Sequence, residues 1–294
     1  MTRPVWMEPP RPSTKAAKAV AVMLTVALVI IPFWVVVATS LSPDMQVIRN
    51  GGWSIWPERV TLDAYRRLFG SGVISHAVLV STVVTLVGTA VSLTATVLMA
   101  YALARPNVFG GKPIMLGVLL TFLFPPAIIP SFLVVSNLDL RNHYAALIAP
   151  VLISTFNLVI MRGYFQGLPT ELSESARIDG AGDGRVLWHV VLPLSKAIIA
   201  VVGFYYAVGY WNSFFNAMLY LDDQSTWPLQ PMLRQIVMLG ANPDTSIAAG
   251  AGASVAPQTT TMATVVVAVL PILAVYPLVQ RFFTKGVLIG AIKG

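Results

Sequence analysis

The sequence predicts an all-α, polytopic membrane protein with six transmembrane helices. Of its 294 residues, 56% are hydrophobic and only 11% are charged, whereas an ordinary soluble domain carries about 25% charged residues. The charged positions leave six long uncharged stretches, each able to hold the ~20 apolar residues that cross a bilayer. These are continuous apolar runs without the two-residue alternation of a barrel strand, so helices are the expected spanning structure.

The expected spans follow from the uncharged stretches in chain order. Residues 1–18 form a short N-terminal tail, and residues 19–294 form one transmembrane domain. The first apolar run has 25 residues. It is longer than the roughly 7–15-residue core of a signal peptide, and no A-x-A site follows it, so it is expected to remain as the first helix. One span is expected within each of the uncharged stretches 19–43, 68–104, 113–138, 142–161, 197–221 and 245–280.

The distribution of lysine and arginine predicts the orientation. Thirteen of the 19 basic residues, including all six lysines, fall in the tail and in the segments on the same side. Because cytoplasmic loops are enriched in Lys and Arg, both termini are predicted to be cytoplasmic. The net charge of +7 is thereby explained as a topology signal, and no nucleic-acid partner is expected.

Two features leave alternatives open. Trp53 and Trp56, in the first outer loop, are placed either to anchor at the membrane interface or to contact a partner. In the third span, Pro125, Pro126 and Pro130 free backbone carbonyls that protein or water must satisfy. This segment therefore either lines a cavity or kinks for packing.

The longest polar segment on the cytoplasmic side is the loop 163–196. Thr170 is expected to cap a short helix with an acidic first turn, and the glycines at 180, 182 and 184 are expected to end it. Asp183 is expected to cap a second short helix running to Pro193. Two short helices with a glycine break form a projecting elbow. The elbow either docks a cytoplasmic partner or lies on the surface without one.

The elbow carries a resemblance to a known family. The spacing of Glu174, Ala176, Gly180 and the pair Leu192-Pro193 resembles the EAA loop of ATP-binding-cassette importer permeases, with small departures at the second and isoleucine positions of the pattern. Other stretches look like the second permease subunit of oligosaccharide importers, and the last is similar to permeases for polysaccharide-derived oligosaccharides. These stretches are TSLSPD after the first span, AYALAR at 100–105, FPPAIIPSFLVV at 124–135, WNSFFNAMLYLDD at 211–223 and the closing KGVLIGAIKG.

The resemblance implies one subunit of a heteromeric importer in the bacterial cytoplasmic (inner) membrane. Such a permease pairs with a homologous second permease, two ATPase subunits on the cytoplasmic face and an external solute-binding protein, and it moves oligosaccharide by alternating access within membrane lipid. In the implied coupling helix, Ala176 permits close approach to the ATPase and Gly180 makes the turn, although Gly180 and Pro193 also fit a plain role as helix terminators. The implied coupling residues are Glu174, Ala176, Arg177, Asp179, Gly180 and Pro193.

The chain has no recognisable energy source of its own. No Asp, Glu, Lys or Arg lies inside the six expected spans, where ion-coupled carriers keep their coupling residues. A G-x-x-x-x-G-K-[ST] loop is also missing, so the cofactor Mg-ATP is expected only in the partner ATPase. The three histidines fall in separate segments and there is no cysteine. Neither a catalytic cluster nor a metal site is expected, and the chain is not expected to be an enzyme.

The path of a sugar is expected along the fifth span. At helical spacing its tyrosines and asparagines fall on two adjacent faces, and Asn157 on the fourth span adds a further amide. Aromatic faces and amides complement a sugar without a charge, but the same side chains also suit helix–helix packing. Trp211 and Phe215 fall on another face and are expected to contact core or lipid. The candidate path residues are Tyr205, Tyr206, Tyr210, Asn212, Asn216 and Asn157.

The last outer loop, 222–260, has two parts. The segment WPLQPMLRQIVML is expected to lie as a short amphipathic helix at the interface. The Gly/Ala-rich tip that follows either contacts the solute-binding protein or is a plain connector. The favoured function is the permease of an oligosaccharide importer. Two alternatives stay open: the same architecture for another solute, such as an acidic oligosaccharide (a uronide), a polyol or glycerol phosphate, and a membrane scaffold whose elbow only docks a partner.

Overall fold

The structure, a computed structural model, describes residues 12–70, 72–106, 108–239 and 257–290. All regular secondary structure in these ranges is helical, which confirms the predicted all-α class. Most of the predicted tail and the Gly/Ala-rich tip of the last outer loop lie outside the described residues, as do the last four residues. The predictions for these segments stay predictions.

Among the described residues, three helices are long and apolar enough to cross a membrane, judged by length and composition. They are α1 (Pro12–Ser40), α4 (Val73–Ala104) and α15 (Gln258–Gly290), the last qualifying over its first 25 residues. The helix of the last predicted span begins at Gln258, after Pro257. This helix therefore begins within the last uncharged stretch, which is longer than a span needs.

In the part of the chain that the structure describes, two bent helix pairs raise the number of candidate spans to as many as five, if each pair counts as one span. In the first, α7 (Ala145–Ile148) and a 3₁₀ turn (Ala149–Val151) meet α8 (Thr155–Gln166) at an angle of 53°. In the second, the segment Asp183–Leu194 meets α12 (Lys196–Trp211) at 85°. The first pair falls on the predicted fourth span. The second joins the predicted elbow to the predicted fifth span, which is itself interrupted after Trp211.

The predicted third span is interrupted as well. It falls on α5 (Gly111–Leu123) and α6 (Ile128–Asn137), which are separated by Phe124–Ala127. This break contains Pro125 and Pro126, and proline both lacks a backbone N–H and disfavours the helical conformation of the residue before it. Each helix alone is shorter than the ~20 residues that cross a bilayer. The count of six spans therefore stays a prediction.

The remaining helices are short and lie in predicted loops or at the ends of spans. On α14 (Leu229–Leu239), the side chains of Leu229, Met232 and Ile236 are buried along one face while Arg234 is exposed, as expected of an amphipathic helix. The short helices are α2 (Asp44–Arg49), α3 (Asp63–Gly70), α9 (Thr170–Ile178), α10 (Asp183–Val186), α11 (Leu192–Leu194), α13 (Phe215–Tyr220) and α14 (Leu229–Leu239).

Helix α4 is the centre of the packing. It contacts α8 and α12, while α15 contacts both α1 and α12. A Cβ atom at Gly88 would lie 2.9 Å from the Tyr210 ring, so this glycine lets α12 approach closely. Two buried hydroxyl pairs join the helices: Ser92 with Tyr210 at 2.6 Å, and Thr96 with Tyr206 at 2.7 Å. Because an unpaired buried hydroxyl is costly, these bonds favour one register of α4 against α12.

The first predicted outer loop folds back onto α1. The indole N–H of Trp34 donates to the Ile55 carbonyl at 2.8 Å, and the Trp34 and Trp56 ring centroids lie 5.6 Å apart. Trp53 and Trp56 both remain exposed. Their exposure is compatible with either predicted role, interface anchor or partner contact.

Candidate functional site

The predicted elbow consists of short helices on either side of a glycine turn. At the end of α9, the Gly180 N–H donates to the Arg177 carbonyl and the Ala181 N–H donates to the Ala176 carbonyl, both at 2.9 Å. This is the Schellman pattern of a helix C-terminus. Gly180 has φ +81°, a left-handed conformation that residues with a Cβ avoid. Gly180 therefore shapes the turn through its backbone.

Two capping predictions for the elbow are wrong. Helix α9 begins at Thr170, with Pro169 at its N-cap, so Thr170 belongs to the first turn and no side-chain hydrogen bond caps the helix. Helix α10 begins at Asp183, with a glycine at its N-cap. The Asp183 carboxylate instead pairs with Arg105 at 2.6 Å and with Arg177 at 3.5 Å. A charged partner within reach gives this carboxylate a stronger bond than a backbone N–H.

The Asp183 pair ties the elbow to the end of α4. Arg105 directly follows that helix, and its guanidinium carbon lies 4.5 Å from the centroid of the Tyr101 ring. The Tyr101 hydroxyl donates to the Asp183 carbonyl at 3.2 Å. The hydrogen bond from Arg105 lowers the pKa of Asp183, so this carboxylate stays ionised at neutral pH. The elbow is therefore held to the helix at the centre of the packing.

The outer surface of the elbow combines charge with exposed apolar side chains. Ile178 is 86% exposed, and Leu172 and Trp188 are exposed as well. Large apolar side chains surrounded by charge are typical of a protein–protein contact. Among the predicted coupling residues, Ala176 is partly buried against the core and the others are exposed, namely Glu174, Arg177, Asp179, Gly180 and Pro193.

A cavity of about 840 Å³ lies where three predicted spans are interrupted. We call it the central cavity. Pro125 from the break between α5 and α6 lines it, as do Pro150 and Ser154 from the turn before α8, and Asn212–Phe214 after α12. Non-helical backbone at membrane depth is tolerated where it lines a cavity. The breaks and the cavity are therefore parts of one feature, and the cavity interpretation of the third-span prolines is right for Pro125.

The wall of the central cavity is aromatic and polar without being charged. No Asp, Glu, Lys, Arg or His is among the described residues that line it. Nor does the described part of the chain bring together three or more His, Asp or Glu residues that could hold a metal ion. All six predicted path residues line the cavity. The lining is Phe122, Pro125, Pro150, Val151, Ile153, Ser154, Phe156, Asn157, Tyr205, Tyr206, Gly209, Tyr210, Asn212, Ser213, Phe214, Phe215 and Asn216.

The tyrosines of α12 divide between packing and exposure. Tyr206 and Tyr210 are buried, and their hydroxyls are engaged with α4. The Tyr206 hydroxyl also accepts from the Ser154 N–H at 2.9 Å. Tyr205, in contrast, is 40% exposed, and its ring centroid lies 5.9 Å from that of Phe156. The packing interpretation therefore applies to two of the tyrosines, while Tyr205 and Phe156 present aromatic faces to the cavity.

The end of α12 corrects one expectation. Trp211 is buried and its indole N–H donates to the Ala268 carbonyl at 2.9 Å, so it is a core residue as predicted. Phe215, predicted on the same face as a core or lipid contact, lines the central cavity. The helix stops at Trp211 and a new one begins at Phe215, so the helical phase does not continue through the break. Asn212 contributes to the break, because its side-chain amide donates to the Val208 carbonyl at 2.9 Å.

A polar junction joins the loop after α6 to the end of α13. Both carboxylate oxygens of Asp222 accept from Arg141, at 3.0 and 2.9 Å, and one accepts from the Asn142 amide at 3.0 Å. The Asp222 N–H donates back to the Asn142 side chain at 2.8 Å. The hydrogen bonds from Asn142 and Arg141 lower the pKa of Asp222. The junction fixes the two chain segments that lead into the fourth span and out of the fifth.

The chain matches a family of transport proteins. Residues 92–289 match the family model described as the binding-protein-dependent transport system inner membrane component. The chain belongs to this family. The matched region contains most of the central cavity wall and the whole elbow. It confirms the resemblance to importer permeases, and the apolar helices agree with a multi-pass membrane location.

One relative and one structural neighbour of this permease are named for the transport or import of polysaccharides. It is 43% identical over 274 residues to the polygalacturonan/rhamnogalacturonan transport system permease protein YtcP of Bacillus subtilis (strain 168), covering 92% of this chain and 96% of the relative. Protein LplC of the same organism is 43% identical over 268 residues, with 91% and 90% covered. A crystal structure of a bacterial ABC transporter involved in the import of the acidic polysaccharide alginate contains a chain with TM-score 0.85 and 28% identity, covering 94% of this chain and 100% of that chain.

Sequence reasoning missed much of the cavity wall of this permease. The fourth span also lines the cavity with Pro150, Ser154 and Phe156, whereas the sequence predicts only Asn157 of this span as a path residue. A usable signal was present, since Pro150 and Ser154 interrupt an apolar run in the way that Pro125 interrupts the third span. The cavity position of Phe122 cannot be predicted from the sequence, because nothing distinguishes this apolar residue from the others in its apolar span.

Proposed function

We propose that this permease is one of two transmembrane subunits of an ATP-driven, binding-protein-dependent importer that carries oligosaccharide across the bacterial cytoplasmic membrane by alternating access. The observation that carries this proposal is the central cavity, where three interrupted spans present aromatic rings and amides without a charged side chain. Sugar rings stack on aromatic faces and sugar hydroxyls pair with amides. The names of YtcP and of the alginate importer support a carbohydrate solute.

The proposed topology has six spans and two cytoplasmic termini. In it, α5 and α6 together form the third span, the elbow lies in the cytoplasm, and α14 lies outside. Because the chain has no cysteine, single cysteines report accessibility without background. An impermeant thiol reagent added to intact cells should label Asn50→Cys and leave Gly182→Cys unlabelled. Labelling in the opposite sense would overturn the topology and the assignments that depend on it.

The proposed energy source is a partner. Two ATPase subunits bind and hydrolyse Mg-ATP, and this permease, which is not an enzyme, receives the resulting motion through the elbow. Glu174, Arg177 and Asp179 make polar contacts with the ATPase groove, and Ala176 allows close approach. A homologous second permease completes the pathway, and an external solute-binding protein delivers the sugar. Support comes from the exposed charged and apolar surface of the elbow.

The complete complex provides the test. The permease is co-expressed with its three kinds of partner, purified and reconstituted into proteoliposomes, and ATP hydrolysis and uptake are measured with the loaded and the empty binding protein. The proposal expects co-purification of the ATPase subunits, with hydrolysis stimulated by the loaded binding protein and uptake of the sugar. A complex that assembles but shows neither stimulation nor uptake would favour a membrane scaffold instead.

A further inference from the structure

The fourth span places a helix N-terminus at the central cavity. Helix α8 begins at Thr155, after the bend, and runs for 12 residues. Its N-cap, Ser154, lines the cavity and accepts from the Asn157 N–H at 3.5 Å. Among the described residues, the N–H groups of Thr155 and Phe156 have no acceptor. The N-terminal end of a helix carries a partial positive charge and free donors.

A buried amide at the same helix end has no partner. The Asn157 side chain lines the central cavity and is only 4% exposed. In the described part of the chain neither the side-chain nitrogen nor the side-chain oxygen of Asn157 makes a hydrogen bond, whereas its backbone N–H donates to the Ser154 hydroxyl. The amide atoms are not among the fully buried side-chain atoms that lack a partner, so they keep a small accessible surface in the cavity that the residue lines. The amide is therefore available to a ligand in the cavity.

The C-terminal ends of α5 and α12 also reach the cavity, but at the N-terminus of α8 the local electrostatics favour an anion over a cation. Its described lining contains no carboxylate that would repel an anion. It contains no Lys or Arg either, and a full positive charge at this depth is expensive to bury. Helix dipoles and neutral donors can hold an anionic group without that cost, and they release it more readily than a paired cation would. A transporter requires such release.

We propose that the N-terminus of α8 and the Asn157 amide bind a carboxylate of an acidic oligosaccharide, one built from uronate residues. This inference rests on the proposed function, in which the central cavity is the sugar path. The carboxylate accepts from the Asn157 amide at the positive end of α8, and the neighbouring faces of Phe156 and Tyr205 hold the sugar ring. Charge is then recognised inside the membrane without an ionisable side chain.

Two probes separate charge from ring shape. Trigalacturonate carries three carboxylates, and its fully methyl-esterified form has the same rings without charge. In the assembled complex, a cysteine at Asn216 reports occupancy of the cavity by its protection from a thiol reagent. Half-protection should need about tenfold less trigalacturonate than methyl ester, the size expected of one hydrogen bond to a charged group.

Three variants test the assignment. Asn157→Leu should remove most of the tenfold preference while leaving half-protection by the methyl ester unchanged. Asn157→Asp, of the same shape, should reverse the preference, because a carboxylate then faces a carboxylate. Arg234→Gln is the control: its guanidinium lies 5.0 Å from the ring centroid of the lining residue Phe214, so it is a rival cation for an acidic sugar. The proposal expects this control to keep the full preference.

The outcomes distinguish the two levels of the proposal. Equal protection by both probes in the unsubstituted chain, or a preference that survives in both Asn157 variants, would overturn the carboxylate site and leave the sugar path standing. A preference lost only in Arg234→Gln would overturn it as well. If neither probe protects the cysteine or stimulates ATP hydrolysis through the loaded binding protein, the sugar path fails and the carboxylate site fails with it. Assembly of each variant is checked by co-purification of the ATPase.

Discussion

Replacing Gly180 by valine should uncouple ATP hydrolysis from the solute. Gly180 sits at φ +81° in the turn that ends α9, and no atom lies within 4 Å of a Cβ built there. The cost is therefore conformational and not steric. A left-handed conformation costs an L-residue about 1–2 kcal/mol, which lowers the population of the correct turn by a factor of roughly 5–30. Stimulation of ATP hydrolysis by the loaded binding protein should therefore decrease by a factor of roughly 5–30.

The measurement uses ATPase stimulation in proteoliposomes at matched complex content. Two substitutions serve as controls. Gly180→Asn should lose much less, since Asn tolerates the left-handed region. Gly182→Ala should be close to neutral, because Gly182 has φ −70° and open space around it. Full stimulation in Gly180→Val would refute the role of the turn, and an equal loss in Gly182→Ala would show that any substitution in the elbow is harmful.

Three further predictions concern the cavity, the packing and the polar junction. Tyr205→Cys and Asn212→Cys should be protected by the transported sugar from a thiol reagent, whereas Trp211→Cys, in the core, should react slowly with or without sugar; equal protection at all three positions would contradict the proposed path. Gly88→Leu should push the Tyr210 ring aside and destabilise the permease by about 1–3 kcal/mol, seen as a lower Tm in detergent, while Gly117→Ala, with open space, should cause no loss. Because the folded pKa of Asp222 is lowered, its bonds stabilise the junction above the unfolded pKa of ~3.9 and are lost as pH falls through the folded value; hydrogen exchange at 139–142, corrected for intrinsic rates, should accelerate there and lose this pH dependence in Asp222→Asn.

The features that could be predicted from the sequence are those with a local cause. Charged residues are excluded from segments that cross lipid, so the spacing of charges predicts the all-α class and the approximate positions of α1 and α4. Gly180 ends a helix because of its own backbone, and the neighbouring residues add little. The amphipathic α14 likewise declares itself through Leu229, Met232 and Ile236, which recur at helical spacing.

The features that could not be predicted depend on distant partners. Asp183 reads as a helix cap until Arg105, far away in the sequence, offers a stronger bond. The break after Trp211 contains neither glycine nor proline, so its sequence does not differ from that of a continuous helix. The helical spacing therefore predicts Phe215 on the wrong face. The residues from Pro150 to Phe156 line the cavity because three interrupted spans meet around it, and this meeting depends on contacts between distant parts of the chain.

The bend at Ser195 has a mechanical consequence. The segment Asp183–Leu194 turns by 85° into α12, yet backbone hydrogen bonds run through the corner, from the Ser195 N–H to the Val191 carbonyl and from the Ile199 N–H to the Ser195 carbonyl, both at 3.0 Å. These bonds favour motion of the two arms as one bent unit, which we call the crank. With 16 residues, the longer arm measures about 24 Å, and rotating the crank by about 10° would swing its far end by about 4 Å. That end carries Tyr210 and Trp211, so a small rotation of one arm would reshape the cavity at the end of the other.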